Sequence, residues 1–217
     1  MTIVIGVLLS GTGTNLQAIL DAIAAKRLDA KVGVVISNVA SAGGLERART
    51  AKVPTQVIDH RAYTSRKHFD AEVVHALERH GAQWVVLAGF MRVLTPTLLD
   101  AFPMRVVNIH PALLPSFPGL NAQSQAFQYG VRATGCTVHF VDNGTDTGPI
   151  IAQTVVPVLS SDDDDALRKR ILAEEHALLV EVLQWIAEGR VTVKPNPMGG
   201  RPRVIVDGVE PVRGVAR

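Results

Sequence analysis

A chain of 217 residues, 47% hydrophobic and 19% charged, has the composition of a globular protein with a substantial core, and its length favours one domain over several. The formal charge of +2 and the absence of a basic run interleaved with aromatics argue against nucleic acid as a partner, while an anionic small molecule stays compatible. The single cysteine, Cys136, cannot close an internal disulfide, and the apolar opening has no basic flank and falls far short of the ~20 residues a membrane span requires. A cytoplasmic protein with no membrane partner is the expectation.

Residues 3–9 form a nearly unbroken apolar run, the pattern of a strand covered on both faces. Ser10, Gly11, Thr12, Gly13, Thr14 and Asn15 follow, and Leu16, Ile19, Leu20 and Ile23 then recur at helical spacing. Strand, glycine turn and helix in this order aim backbone N–H groups and the positive end of a helix at an anion. A dinucleotide fingerprint would carry a third small residue where Leu16 stands, and an acid after the second strand, where Ser37 and Asn38 stand instead. The lysine of a P-loop is missing too. A single phosphate suits this turn better, with a turn that holds no ligand as the lesser alternative.

Residues 32–36 read as the second strand and residues 45–52 as a short helix, with Pro54 opening a strand through residue 58. Helical periodicity over residues 63–80 stops at Gly81. Residues 84–88 are another buried-type strand, from which Gly89, Phe90, Met91 and Arg92 emerge. Thr95 followed by Pro96 starts a short helix, and residues 105–109 form the next strand. Strands separated by helices of this length imply right-handed βαβ units and a parallel sheet.

Asn108 and His110 lie two apart in that last strand and project from one face, and Pro111 then ends the pairing. The spacing delivers an amide and an imidazole at the C-terminal end of a strand, where open α/β sheets hold ligands. A hydrogen-bonded pair of no chemical use has the same spacing. After a Pro/Gly loop, residues 121–129 are expected to be helical, and residues 134–141 and 150–158 to form an antiparallel, hairpin-like pair. Asp146 sits in the glycine-flanked loop between them. Near His110 it would hold the imidazole's tautomer, although an Asx turn is the ordinary task of such an aspartate.

Ser160 and Ser161 are the expected caps of a long helix reaching about residue 188, with residues 162–165 in its first turn and Gly189 at its end. Beyond it, residues 191–193 and 204–206 are possible edge strands. Cys136 is expected to be a small buried residue. His139 shares a strand face with Thr137 and Val141 and could approach the site, with a satisfied structural histidine the favoured reading. His176 and the histidines of the 63–80 helix are expected to face solvent. No metal-ligand spacing is visible among the seven histidines and one cysteine. The fold class expected is α/β: a Rossmann-like parallel sheet with helices on both faces, extended by an antiparallel C-terminal portion.

The turn at residues 10–15, Gly44-Leu45-Glu46-Arg47-Ala48, Gly89-Phe90-Met91-Arg92-Val93-Leu94, Asn108-Ile109-His110-Pro111, Leu113-Leu114-Pro115, Phe117-Pro118-Gly119 and Asp146-Thr147-Gly148-Pro149-Ile150 occur together here. In these motifs the chain resembles the folate-dependent phosphoribosylglycinamide formyltransferases, enzymes of purine biosynthesis. The resemblance implies a single formyltransferase domain over residues 1–217. Its N-terminal half, about 1–105, would bind phosphate; its folate and catalytic half would run from about 106 to 190, before a Gly/Pro/Arg-rich tail at 191–217.

It implies 10-formyltetrahydrofolate as co-substrate, no metal, and a monomer or homodimer. Asn108, His110 and Asp146 would be catalytic. Gly13, Thr14, Asn15 and Glu175 would bind the ribonucleotide. Arg66, Met91, Arg92, Val93, Leu94, Asn108, Val141 and Asp142 would cradle the folate. Two positions depart from the family pattern: Asn121, where a histidine is expected, and Leu172, where a polar contact one turn before Glu175 would be natural. The alternatives are a related folate formyl enzyme of the deformylase type and a catalytically silent nucleotide- or folate-binding protein on the same scaffold.

Overall fold

In the computed structural model the opening apolar run becomes β1 (Ile3–Leu9), buried at every position except Val4. The structure describes residues 2–209 and 212–214; part of the expected tail, residues 210–211 and 215–217, lies outside the described residues. The chain divides into two units, residues 1–108 and 109–217.

In the first unit, α1 (Thr14–Ala24), β2 (Ala30–Ser37), α2 (Gly43–Thr50), β3 (Thr55–Val57), α3 (Arg66–Arg79), β4 (Trp84–Leu87) and α4 (Pro96–Ala101) lead into β5 (Val106–His110). The strands lie in the order β5-β4-β1-β2-β3, and every pairing among them is parallel. This alternation of buried strand and amphipathic helix is what the apolar runs and helical spacings dictate. Helix α3 begins three residues later than its periodicity suggests. Asp59 starts a short 3₁₀ turn at His60–Ala62, and the Ser65 hydroxyl then accepts from His68 N at 3.2 Å to cap α3.

In the second unit, α5 (Ala122–Tyr129) precedes β6 (Ala133–Phe140) and β7 (Ile150–Pro157), which pair antiparallel. The long α6 (Asp164–Ala187) packs on both. The expected edge strands are β8 (Val191–Lys194) and β9 (Arg203–Val206), and they pair with each other as a separate antiparallel ladder. The strand that joins β7 from the tail is β10 (Val212–Arg213), which pairs parallel to it. Among the described residues, no helix is long and apolar enough to cross a membrane.

The start of α6 departs from expectation. Neither serine caps it: the Asp163 carboxylate accepts from Ala166 N at 2.7 Å, and only Asp164 and Asp165 lie in the first turn. Aspartate is as good a cap as serine and adds a charge that favours the helix dipole. Asp162 stands outside the helix. The Arg170 guanidinium grips it in a fork, Nη1 at 2.7 Å and Nη2 at 2.6 Å, and Leu159 N donates to it at 2.8 Å.

The hydrogen bonds from Arg170 hold the Asp162 carboxyl at about 2, against an ordinary 3.8. A carboxyl lowered by folding contributes stability above its unfolded value and loses it as pH falls toward the folded one. Acid unfolding monitored by circular dichroism is therefore expected to show a shallower loss of stability between pH 3.8 and about 2 for Asp162→Asn than for the unaltered chain. Identical slopes would remove Asp162 from the acid response.

Candidate active site

His110 is the last residue of β5 and is buried. Its Nε2 lies 2.8 Å from the carbonyl oxygen of Phe117. A carbonyl only accepts, so Nε2 carries the hydrogen. The other nitrogen, Nδ1, faces Asp146 Oδ2 at 3.3 Å. Each ring nitrogen therefore has an acceptor in front of it. Asp146 reaches this position through a left-handed backbone (φ 54), a conformation aspartate tolerates better than most residues. Gly119 N donates to the same oxygen at 2.8 Å. Gly148 lets the loop fold tightly onto the end of β6, since a Cβ there would overlap the Phe140 carbonyl oxygen.

The Asx role open to Asp146 falls instead to Asp142. Its carboxylate accepts from Gly144 N at 3.0 Å and from Thr147 Oγ1 at 2.6 Å. This sets the loop that presents Asp146, and Val141 leads into it, half-buried.

His139, which its strand face allowed to approach the site, does lie beside Asp146. Its Nδ1 donates to the Phe140 carbonyl at 2.8 Å, and its Nε2 lies 3.7 Å from Asp146 Oδ1. Burial pushes its pKa below the ordinary imidazole value, against the opposing influence of the Phe140 bond and the Asp146 charge. Asp146 thus lies between two imidazoles.

Thr137 and Gln153 carried no local signal in the sequence. The Thr137 hydroxyl donates to Ala112 O at 2.7 Å and accepts from Leu114 N at 3.1 Å. Gln153 Nε2 donates to Leu114 O at 2.9 Å. Together they fix the turn that follows His110. Cys136 is fully buried, and burial drives its thiol pKa up, the form least suited to a nucleophile. Glu175 is buried on α6, and its charge acts on Cys136 in the same direction. His176 and His80 are half-buried rather than solvent-facing, whereas His68 and His75 are exposed.

In the first unit, Gly13 precedes α1 with φ 74, and no side chain caps the helix there. Thr14 and Asn15 open α1, with Asn15 buried. The turn is backed by α2: Gly44 N donates to Gly11 O at 3.1 Å, and Arg47 Nε donates to Thr12 O at 2.9 Å. Arg47 Nη1 also reaches Gln17 Oε1 at 3.1 Å. Arg66 and Arg92 line one cavity of about 210 Å³ together with His60, Tyr63, Ser65 and Phe69. Two guanidiniums in one cavity suit a carboxylate ligand.

On the segment that leaves β4, Met91 and Val93 are 60% and 50% exposed, while Leu94 is buried. Asp70 of α3 holds the far end of this segment, its Oδ2 accepting from Thr95 N at 2.6 Å and Thr95 Oγ1 at 2.7 Å. The Thr95 hydroxyl is thereby diverted from capping α4. Asn108 is half-buried and registers with Leu87 across the β4–β5 pair. Among the described residues, no group of three or more His, Cys, Asp or Glu side chains is arranged to hold a metal ion.

The formyl transferase family model matches residues 3–183. The phosphoribosylglycinamide formyltransferase of Escherichia coli (strain K12) is 43% identical over 190 residues, which cover 88% of this chain and 90% of that protein. The trifunctional purine biosynthetic protein adenosine-3 of Drosophila melanogaster is 45% identical over 194 residues, 88% of this chain but only 14% of that protein's length. Among solved structures, glycinamide ribonucleotide transformylase 1 from Symbiobacterium toebii superposes with a TM-score of 0.89 at 52% identity, over 94% of each chain. The phosphoribosylglycinamide formyltransferase from Anaplasma phagocytophilum gives 0.88 at 37%, over 98% of each.

The packing of the glycine turn also fixes what a substitution there does. A Cβ on Gly13 would overlap the Gly44 backbone, and the positive φ adds strain. Gly13→Val is accordingly expected to displace α2 and cost about 1–3 kcal/mol of stability, read as a lowered Tm, besides any effect on ligands. An unchanged Tm would contradict the close contact of the turn with α2.

Proposed function

Because the chain belongs to the formyl transferase family, we propose that it transfers a formyl group from 10-formyltetrahydrofolate to the amine of glycinamide ribonucleotide, a step of de novo purine biosynthesis. The observation that supports this most is the approach of Asp146 Oδ2 to His110 Nδ1, 3.3 Å, within the region matched by the family.

The amine nitrogen attacks the formyl carbon, and the carbonyl oxygen takes up negative charge in a tetrahedral intermediate. Asn108 and His110 donate hydrogen bonds to that oxygen. Losing one such donor typically costs ~3 kcal/mol of transition-state stabilisation. Asp146 supports the charged imidazole and, directly or through water, receives the proton shed by the amine. The bond from the formyl carbon to the folate nitrogen then breaks, and a proton passes from His110 to the departing nitrogen. Formylated ribonucleotide and tetrahydrofolate result, with no covalent enzyme intermediate.

Gly13, Thr14 and Asn15 bind the phosphate with backbone N–H groups at the start of α1, and Glu175 takes the glycinamide end. Arg66 and Arg92 receive the carboxylates of the folate. Met91, Val93 and Leu94 with Val141, Asp142 and Asn108 cradle the rest of it. In this reading residues 1–217 are a single formyltransferase domain, with the phosphate-binding half at about 1–105, the folate and catalytic half at about 106–190 and a tail at 191–217. The protein acts in the cytoplasm as a monomer or homodimer on small molecules.

Incubation with glycinamide ribonucleotide and 10-formyltetrahydrofolate is expected to yield the formylated ribonucleotide; formate released without the acceptor would favour a deformylase instead. His110→Ala and Asp146→Asn are each expected to lower kcat by at least ~100-fold while the protein stays folded. Near-normal turnover by either purified variant would exclude that residue from the mechanism.

A further inference from the structure

Ser10 belongs to the glycine turn, yet its hydroxyl also holds the segment that leaves β4. Met91 N donates to Ser10 Oγ at 2.9 Å, and Ser10 Oγ donates to Asn38 Oδ1 at 2.6 Å. Asn38 is 5% exposed, and its Nδ2 lies 3.3 Å from His60 Nδ1. Ser10 N donates in addition to Gly89 O at 3.0 Å. A hydroxyl has one hydrogen. With that hydrogen committed to a buried amide, the lone pair that meets Met91 is fixed in direction.

At the other end, Asp70 pins Thr95 through two bonds. The residues between, Met91 to Leu94, are thus strung between two anchors, and among them Met91 and Val93 are exposed.

We propose that Ser10 is a positioning residue: its hydroxyl sets the backbone of Met91, and so the face that residues 91–94 offer the formyl folate, from within the turn that receives the ribonucleotide phosphate. The inference rests on the proposed function and adds to it a physical link between the two ligand-binding segments. A ligand that shifts the turn moves Ser10, and Ser10 carries the displacement to Met91 through a single bond.

The test is steady-state kinetics of the full chain together with a binding titration of tetrahydrofolate. Ser10→Ala is expected to raise KM for the formyl folate and weaken tetrahydrofolate binding by roughly fivefold, the worth of one hydrogen bond, with kcat changed by less than about twofold. Ser10→Thr keeps the hydroxyl and is expected to restore KM. A merely structural role would lower Tm and active fraction without moving KM. Should Ser10→Ala fail to fold, Ser10→Cys serves in its place, being close in shape but a weak hydrogen-bonding group. An unchanged folate KM in a folded variant, or a fall confined to kcat, would overturn the inference and leave the functional reading intact. An unaltered chain that binds tetrahydrofolate but transfers no formyl group would overturn the functional reading alone; one that binds none would overturn both.

Discussion

A carboxylate only 14% exposed requires donors around it, because burying a charge without partners is among the most expensive things a fold can do. Asp146 accepts from the amide of Gly119 and lies between two imidazoles of the second unit, its Oδ2 facing Nδ1 of His110 at the end of β5 and its Oδ1 facing Nε2 of His139 on β6. Much of the surrounding geometry exists to make that meeting possible. Asp142 ties the loop to itself, Gly148 lets it fold onto β6, and Thr137 with Gln153 hold the chain just after His110. The left-handed backbone of Asp146 is retained because these contacts over-determine it.

The first unit solves a different problem, presenting backbone rather than side chains. A glycine turn is floppy unless something backs it. Here Gly13 rests on Gly44, and Arg47 grips the Thr12 carbonyl. A Cβ on Gly13 would overlap the Gly44 backbone, and one on Gly44 would overlap the Leu9 side chain. The glycine-rich start of α2 therefore serves the turn as much as the helix, which suits the presence of residues 44–48 beside the turn among the motifs of the family resemblance. Asp70 shows the cost of such scaffolding. Burial raises its pKa, and the two Thr95 bonds with the charges of Arg66 and Arg92 only partly offset that.

Most of the architecture was legible because it is written in local patterns. Continuous apolar runs gave β1, β2, β4 and β5, and helical spacing gave α1 and α3. What stayed hidden depends on residues far apart in the chain. Ser10 and Met91 are 81 positions apart, Thr12 and Arg47 are 35 apart, and Asp70 and Thr95 are 25 apart. No window of sequence contains either partner's need for the other. The start of α6 failed for a related reason. Two serines and four aspartates all make plausible caps, and Arg170 removes only Asp162 from the competition, while Asp163 takes the cap. The alternation in residues 191–193 and 204–206 announced strands without naming their partners, so a separate β8–β9 ladder looked like two edges. Asn108, His110 and Asp146 stood out through strand spacing and resemblance; that His110 and Asp146 meet, and that His139 joins them, required coordinates.

The bond from His110 Nε2 to the Phe117 carbonyl bears on how the proposed reaction separates ground state from transition state. For the ring to donate to a reacting oxygen at that nitrogen, the oxygen must replace the Phe117 carbonyl. A formyl oxygen in the ground state is itself a neutral carbonyl, so the exchange swaps one neutral acceptor for another and gains little. Once the amine has attacked, the oxygen is an anion, and a charge-assisted bond is roughly twice as strong as a neutral one. Only then does the exchange become clearly favourable. In the proposed reaction the Phe117 carbonyl would act as a reference that a substrate merely matches and a tetrahedral oxyanion exceeds. Binding energy withheld from the substrate and released at the transition state raises kcat rather than lowering KM.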